Sequence, residues 1–476
     1  MESQNSQAHD TPHTQADPNT QTAKARSGKP RILVLGAGFG GLYFCRKFPK
    51  NLARITVIDR TNHHLFQPLL YQVATSGLSA PEIAHPIRSI LSDRQDIEVL
   101  LDEVQHISLQ EKQVRLRRQT LEYDYLVIAL GAVTSYFGND AWAEHAPGLK
   151  SLNDAISIRH DVLQAFEDAE NSDDPEERRK LMTMVVIGGG PTGVEMAGTL
   201  AELKDHVLAR DYRRINTREA RVILVEALDR VLNNMDEKLS ESAKKQLEEL
   251  GVEVRLGDMV QDIQQGRVIF ENDEIEAGNI IWTAGVGAPR LTREMDGVEL
   301  DKAGRITVDP QLAVPKHPEA FAIGDIANIT DADGKPVPGI SPAAIQAGEY
   351  LAKLVARQIR EGQTGRDAQP GFEYFDKGYM ATIGRSAAVA RIGNDKLGEV
   401  KFSGFLAWLA WLFVHLIFLI GFRNRVIVMI QWFYSYIAYR RGSRIIFGDF
   451  SRKDFLREKQ QEIHREEVSN YAQTEP

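Results

Sequence analysis

The chain has 476 residues, 43% of them hydrophobic, enough for two or three domains. A formal net charge of −9 argues against nucleic acid as a partner. The single cysteine, Cys45, excludes an intramolecular disulfide and a C-x-x-C redox pair, and no metal site is expected. Residues 1–30 carry Gln, Thr and Pro without an apolar run and are expected to form a disordered tail. The first apolar strand then runs into Gly36-Ala37-Gly38-Phe39-Gly40-Gly41 and a helix-like stretch. In this G-x-G-x-x-G, Gly36 allows the tight turn, Gly38 lets the backbone approach a pyrophosphate, and Gly41 lets helix pack on strand. The next apolar strand ends at Asp59, close to the spacing of about 20 residues expected of a ribose-binding acid. A third strand, 124–132, turns at Ala129 and Gly131. The acidic stretch 167–180 reads as an exposed break.

A second loop, Gly188-Gly189-Gly190-Pro191-Thr192-Gly193, repeats the pattern, with Gly188, Gly190 and Gly193 in the same three roles. Its acid is Glu226, and the longer gap before it is expected to hold an inserted helical segment at 202–219. A carboxylate here accepts hydrogen bonds from a ribose 2′-OH and repels a 2′-phosphate. Ala227 offers no neighbouring cation, so the second site reads as NAD rather than NADP. The strand 279–286 turns at Ala284 and Gly285, in the position that Ala129 and Gly131 hold after the first loop, which points to an internal duplication. Gly324 and Asp325 then end a strand where a carboxylate can bond the ribityl chain of FAD. Two dinucleotide sites on one chain point to electron transfer between them. The expected class is α/β, with two Rossmann-like dinucleotide-binding domains: FAD at 31–155 with 290–370, and NADH at 156–289. A C-terminal domain at 371–476 is expected to carry a membrane-anchoring helical region at about 402–444.

Three segments resemble signatures of the type II NADH dehydrogenases. His63-His64-Leu65-Phe66-Gln67-Pro68-Leu69-Leu70-Tyr71-Gln72-Val73-Ala74 is similar to the family's flavin-side signature, Gly188 to Glu202 to its NADH motif, and Asp376 to Arg385 to its C-terminal signature. The resemblance covers about 30–448. It implies one non-covalent FAD per chain, NADH as substrate, a membrane quinone as acceptor, and no proton pumping. It also implies that Glu195 lies near the nicotinamide, the flavin and the route to the quinone. Lys377 would stabilise negative charge on a reduced flavin or quinone. The family's Ala-Gln-x-Ala-x-Gln flavin and quinone contact aligns with Ser341-Pro342-Ala343-Ala344-Ile345-Gln346, so Ala344 and Gln346 are retained and Pro342 replaces the first Gln. Proline brings no side-chain donor and no backbone N–H, which leaves the shape of the quinone pocket open.

The run 402–422 carries no formal charge, and three of the five Trp fall between Trp408 and Trp432. At a rise of about 1.5 Å per residue such a run could cross a bilayer. A crossing would put Arg423, Arg425, Arg440, Arg441 and Arg444 opposite the nucleotide domains, against the positive-inside rule. The expectation is therefore a monotopic anchor on the cytoplasmic side of the cell inner membrane, with arginines meeting anionic headgroups. The same segment is a candidate for homodimer contacts. Two other readings stay open: a soluble-type NADH-dependent flavoprotein reductase of a protein acceptor such as ferredoxin, and a membrane-held NADH-sensing flavoprotein.

Overall fold

Strands that are apolar on both faces belong in parallel sheets covered by helices, and both glycine loops follow such strands. In the computed structural model, residues 28–331, 334–362, 367–394, 398–438 and 443–446 are described, so the tail at 1–27, Arg440 and Arg441 lie outside them. Arg31–Leu35 lies between Arg54–Asp59 and Tyr125–Ile128, all parallel, with Ile97–Leu101 beyond Arg54–Asp59. His317–Ala322 extends this sheet in parallel, and the short Ala313–Val314 closes that edge antiparallel. The second sheet repeats the order: Thr183–Ile187 lies between Arg221–Glu226 and Asn279–Trp282, with Val252–Leu256 beyond. Each fold also inserts a three-stranded antiparallel meander, starting at Val104–Ser108 in the first and at Asp262–Gln264 in the second. The pairing of Val133–Thr134 with Val286–Gly287 ties the two folds together.

Two glycines set the helix positions around the loops. The helix Ser341–Glu361 crosses Phe39–Lys47 so closely that a Cβ on Gly348 would lie 2.4 Å from the carbonyl oxygen of Gly40. This approach brings the first turn of the long helix beside the first loop. Pro342 sits in that turn, where a missing N–H costs little. The helix Pro191–Glu202 packs as tightly on the strand Gly378–Gly384: a Cβ on Gly198 would lie 1.5 Å from the carbonyl oxygen of Ile383. That strand belongs to an antiparallel sheet with Ala387–Asn394 and Gly398–Ser403.

Three segments differ from their sequence reading. The stretch 167–180 is mostly helical, because Leu152–Asn171 runs through its start and Pro175–Leu181, capped by Asp174, through its end. The segment 202–219 is helical only at its ends, as Leu203–Val207 and Thr217–Glu219. The apolar run 402–422 is not one helix. It holds the end of a strand, a turn at Gly404 (φ 77°), the helix Phe405–Phe418, a turn at Gly421 (φ 89°) and the start of the helix Phe422–Ala438. With 14 residues, Phe405–Phe418 is roughly 21 Å long, short of a hydrocarbon core of about 30 Å. Among the described residues no helix is long and apolar enough to cross a membrane.

These two helices are sided. Ala407 and Trp411 are buried against the protein, whereas Leu406, Leu409, Phe413 and Ile417 lie exposed at helical spacing, Phe413 by 65%. On the second helix Ile430 and Phe433 are exposed, while the other face makes polar contacts to the segment after the first acid. Trp432 Nε1 donates to Gln72 Oε1 at 2.9 Å, and Gln431 bonds Glu82. Of the expected arginines, two have described side chains: Arg425 Nε donates to the Leu419 carbonyl at 2.7 Å, and Arg444 pairs with Asp211.

Candidate active site

The two loops are superimposable in their bonding. Gly36 N–H donates to the Ile58 carbonyl at 2.7 Å, and Gly188 N–H to that of Val225 at 2.8 Å. Both glycines hold left-handed backbone, at φ 96° and 109°. A Cβ on Gly36 would lie 2.4 Å from the Ala129 carbonyl oxygen, and one on Gly188 would lie 2.7 Å from the Ala284 nitrogen. Gly41 and Gly193 close each helix onto its own loop, with a Cβ 2.0 and 1.8 Å from the carbonyl oxygens of Gly36 and Gly188. The acids match as well: Asp59 Oδ2 accepts from Ala37 N–H at 2.7 Å, and Glu226 Oε2 from Gly189 N–H at 2.6 Å. Each carboxylate thus fixes the loop it was expected to serve, which orients its remaining lone pairs.

One cavity of about 960 Å³ brings most of the expected residues together. Its wall includes Gly36, Gly38, Asp59, Ala129, Gly131, Gly324, Asp325 and Ala344 from the first fold and the long helix. From the second fold come Pro191, Thr192, Glu195 and Gly285. Lys377, and Val414, His415 and Phe418 of the apolar helix, complete it. Gly41, Gly188, Gly190, Gly193, Ala284 and Glu226 lie outside the wall, supporting it or facing away. So does Gln346. Its amide donates to the Phe375 carbonyl at 3.0 Å and accepts from Phe375 N–H at 2.9 Å, which holds the strand approach to Lys377 instead of facing the cavity.

Glu195 is the most perturbed acid in this wall. Burial pushes its carboxyl up to about 8, against smaller opposing pulls from Thr382 N–H, which donates to Oε1 at 3.4 Å, and from the neighbouring Trp411. Such a carboxyl can carry or release a proton near neutral pH. Lys377 Nζ lies 5.6 Å from the centre of the Phe418 ring, so a cation stands at the edge of the apolar wall. Asp325 faces Lys150 at 3.8 Å. Sequence reasoning passed over His415 and Trp411. His415 Nδ1–H donates to the Trp411 carbonyl at 2.8 Å, and burial lowers its imidazole to about 4, so the ring is neutral. The signal was available: His415 is the one titratable side chain in Phe405–Phe418.

The fold and site define a class, the two-nucleotide oxidoreductases. Residues 30–348 match the model of the pyridine nucleotide-disulphide oxidoreductases, and residues 377–441 that of the NDH2 C-terminal domain. The type II NADH:quinone oxidoreductase Ndh of Mycobacterium tuberculosis is 44% identical over 91% of this chain and 92% of its own length. An internal alternative NAD(P)H-ubiquinone oxidoreductase A1 from mitochondria of Arabidopsis thaliana is 31% identical over 88% and 86%. The structure of NDH2 from Plasmodium falciparum in complex with NADH shares the fold, with a TM-score of 0.80 at 21% identity, covering 87% of this chain and 99% of that one. The chain belongs to the type II NADH:quinone oxidoreductase family.

The class implies a flavin, and the first loop fits one. Gly38 has ordinary backbone (φ −66°), and a Cβ there would meet nothing within 4 Å. Neither strain nor protein packing calls for glycine, so the space it leaves suits a group lying on the loop from the cavity side. Gly190, at φ −70° with the same open surroundings, repeats this in the second fold.

Proposed function

We propose that this protein oxidises NADH through one non-covalent FAD and reduces a membrane quinone without pumping protons. The observation that carries the reading is the large cavity, whose wall runs from the first glycine loop past Glu195 to Val414, His415 and Phe418 on a helix with an exposed apolar face. A flavin bound there supplies two-electron chemistry, accepting hydride and giving up electrons to a quinone. Gly36, Gly38, Gly41, Asp59, Ala129, Gly131, Gly324, Asp325 and Ala344 are the residues to hold it. Gly188, Gly190, Gly193, Glu226, Ala284 and Gly285 are those to hold NADH, with Glu226 selecting against a 2′-phosphate. The Glu195 carboxyl holds a proton close to both. Lys377 offsets negative charge that develops in the cavity. Gln346 acts through Phe375, fixing the strand that carries Lys377.

Phe405–Phe418 and Phe422–Ala438 lie in one leaflet of the inner membrane on its cytoplasmic side. Their exposed aromatic and aliphatic face suits the acyl boundary, and Val414 and Phe418 offer an apolar way from lipid to cavity. The test is steady-state NADH oxidation by purified protein with three acceptors: a quinone in vesicles, a soluble ferredoxin, or none. Turnover with quinone alone is expected. Turnover with ferredoxin but not quinone would favour a reductase of protein acceptors.

A further inference from the structure

A second cavity, of about 100 Å³, lies between the two apolar helices, the end of the helix Pro191–Glu202 and the strand Gly378–Gly384. It offers several times the room one water needs. Two kinds of side chain build its wall. The apolar helices bring Trp408, Trp411, Leu412 and Trp432, with the rings of Trp411 and Trp432 centred 5.9 Å apart. The nucleotide fold and the strand end bring Glu202 and Arg385, both half-buried. The aromatic part continues into the exposed apolar face. Phe405 stacks on Trp408 with ring centres 5.7 Å apart and is itself 48% exposed. Tryptophan is favoured at this level of a membrane, where an apolar ring body and a polar edge are both accommodated.

The indole N–H of Trp411, in a side chain only 1% exposed, has no hydrogen-bond partner among the described residues. A buried donor left unpaired is costly, so it marks a place for an acceptor oxygen. The charges in the wall narrow the choice of ligand. A lone phosphate would face the Glu202 carboxylate, and a lone ammonium would face the Arg385 guanidinium. A group that carries both charges meets each with its opposite. Indole faces add attraction for the cationic end, and phosphate oxygens accept from a guanidinium.

We propose that this cavity binds the headgroup of one zwitterionic phospholipid, a phosphate diester carrying an alkylammonium. Its phosphate lies against Arg385 and the Trp411 N–H, and its ammonium against Glu202 and the tryptophan rings. Its acyl chains follow Trp408 and Phe405 to the exposed face. The site rests on the one-leaflet anchor proposed above.

The test titrates flavin-loaded, full-length protein with three probes: monomeric dihexanoyl phosphatidylethanolamine, dihexanoyl phosphatidylglycerol and free phosphoethanolamine. Tryptophan emission is the readout, since three of the five Trp line the cavity. Saturable binding of phosphatidylethanolamine is expected, about tenfold tighter than of either other probe. Native mass spectrometry should show one lipid per chain, and flavin content reports folding. Arg385→Gln should weaken this binding about tenfold. Glu202→Gln keeps an acceptor for the Arg385 N–H and should erase the preference over phosphatidylglycerol. Emission changes that never saturate, or folded variants that bind like wild type, would overturn the site. Equal affinity for phosphatidylglycerol would overturn the zwitterion assignment, and equal affinity for free phosphoethanolamine would overturn a lipid as its source. Vesicle flotation of the wild type separates the two readings. Protein that floats but binds no probe would remove the site and leave the anchor. Protein that binds yet fails to float would remove the anchor on which the lipid assignment rests.

Discussion

Gly198→Ala should damage the site without touching any residue in the cavity wall. The new methyl carbon would lie 1.5 Å from the Ile383 carbonyl oxygen, and both partners are backbone, one in a helix and one in a strand. Reaching ordinary contact requires the helix Pro191–Glu202 and the strand Gly378–Gly384 to part by about 2 Å. Overpacking of this kind costs on the order of 3 kcal/mol, at the upper end of the usual range because no flexible side chain can yield. The same movement stretches the 3.4 Å contact from Thr382 N–H to Glu195 beyond bonding. Urea unfolding of flavin-loaded protein should show a lower midpoint at unchanged slope, and quinone reoxidation should slow more than reduction by NADH. A variant with wild-type midpoint and wild-type reoxidation would refute the claim that this contact positions Glu195.

Glu195→Gln tests the buried carboxyl. The folded protein keeps this proton up to about pH 8 while the unfolded chain releases it near pH 4.5, so in that window the folded state binds more protons and stability falls as pH rises. The Gln variant should lose that part of the decline and gain on wild type at pH 9 relative to pH 5 in thermal melts; parallel profiles would contradict the assignment. Glu226→Gln removes a carboxylate that accepts from both Gly189 and Leu228 N–H groups, and should narrow the preference for NADH over NADPH in kcat/KM. Equal use of the two nucleotides by wild type would show that Glu226 is not the ribose reader. Phe413→Glu with Phe433→Glu puts charge on the exposed apolar face, where both rings are at least 65% exposed. Vesicle flotation should drop sharply with flavin content intact, and undiminished flotation would refute the one-leaflet anchor.

The parallel sheets and both loops were legible because a glycine turn leaves a local mark: residues at fixed offsets, between an apolar strand and a helix. The acids were legible by spacing, but their hydrogen bonds to Ala37 and Gly189 were not, since a sequence shows no side-chain direction. Gln346 shows the limit of reading a contact from a motif. Its amide is tied to Phe375, a residue far along the chain that no local pattern connects to it. The apolar run at 402–422 misled on length because hydropathy averages over Gly404 and Gly421, whose positive φ angles part a strand from the first helix and the first helix from the second. The burial of Glu195 was hidden for a related reason: the strand that carries Thr382 and Ile383 packs on the helix of Glu195 and Gly198 from far along the chain.

Anaerobic flavin spectroscopy on the purified full chain tests the central claim most directly. The account predicts an oxidised flavin spectrum as isolated, bleached by one equivalent of NADH and restored by one equivalent of quinone. A flavin that NADH bleaches and quinone leaves bleached would contradict it.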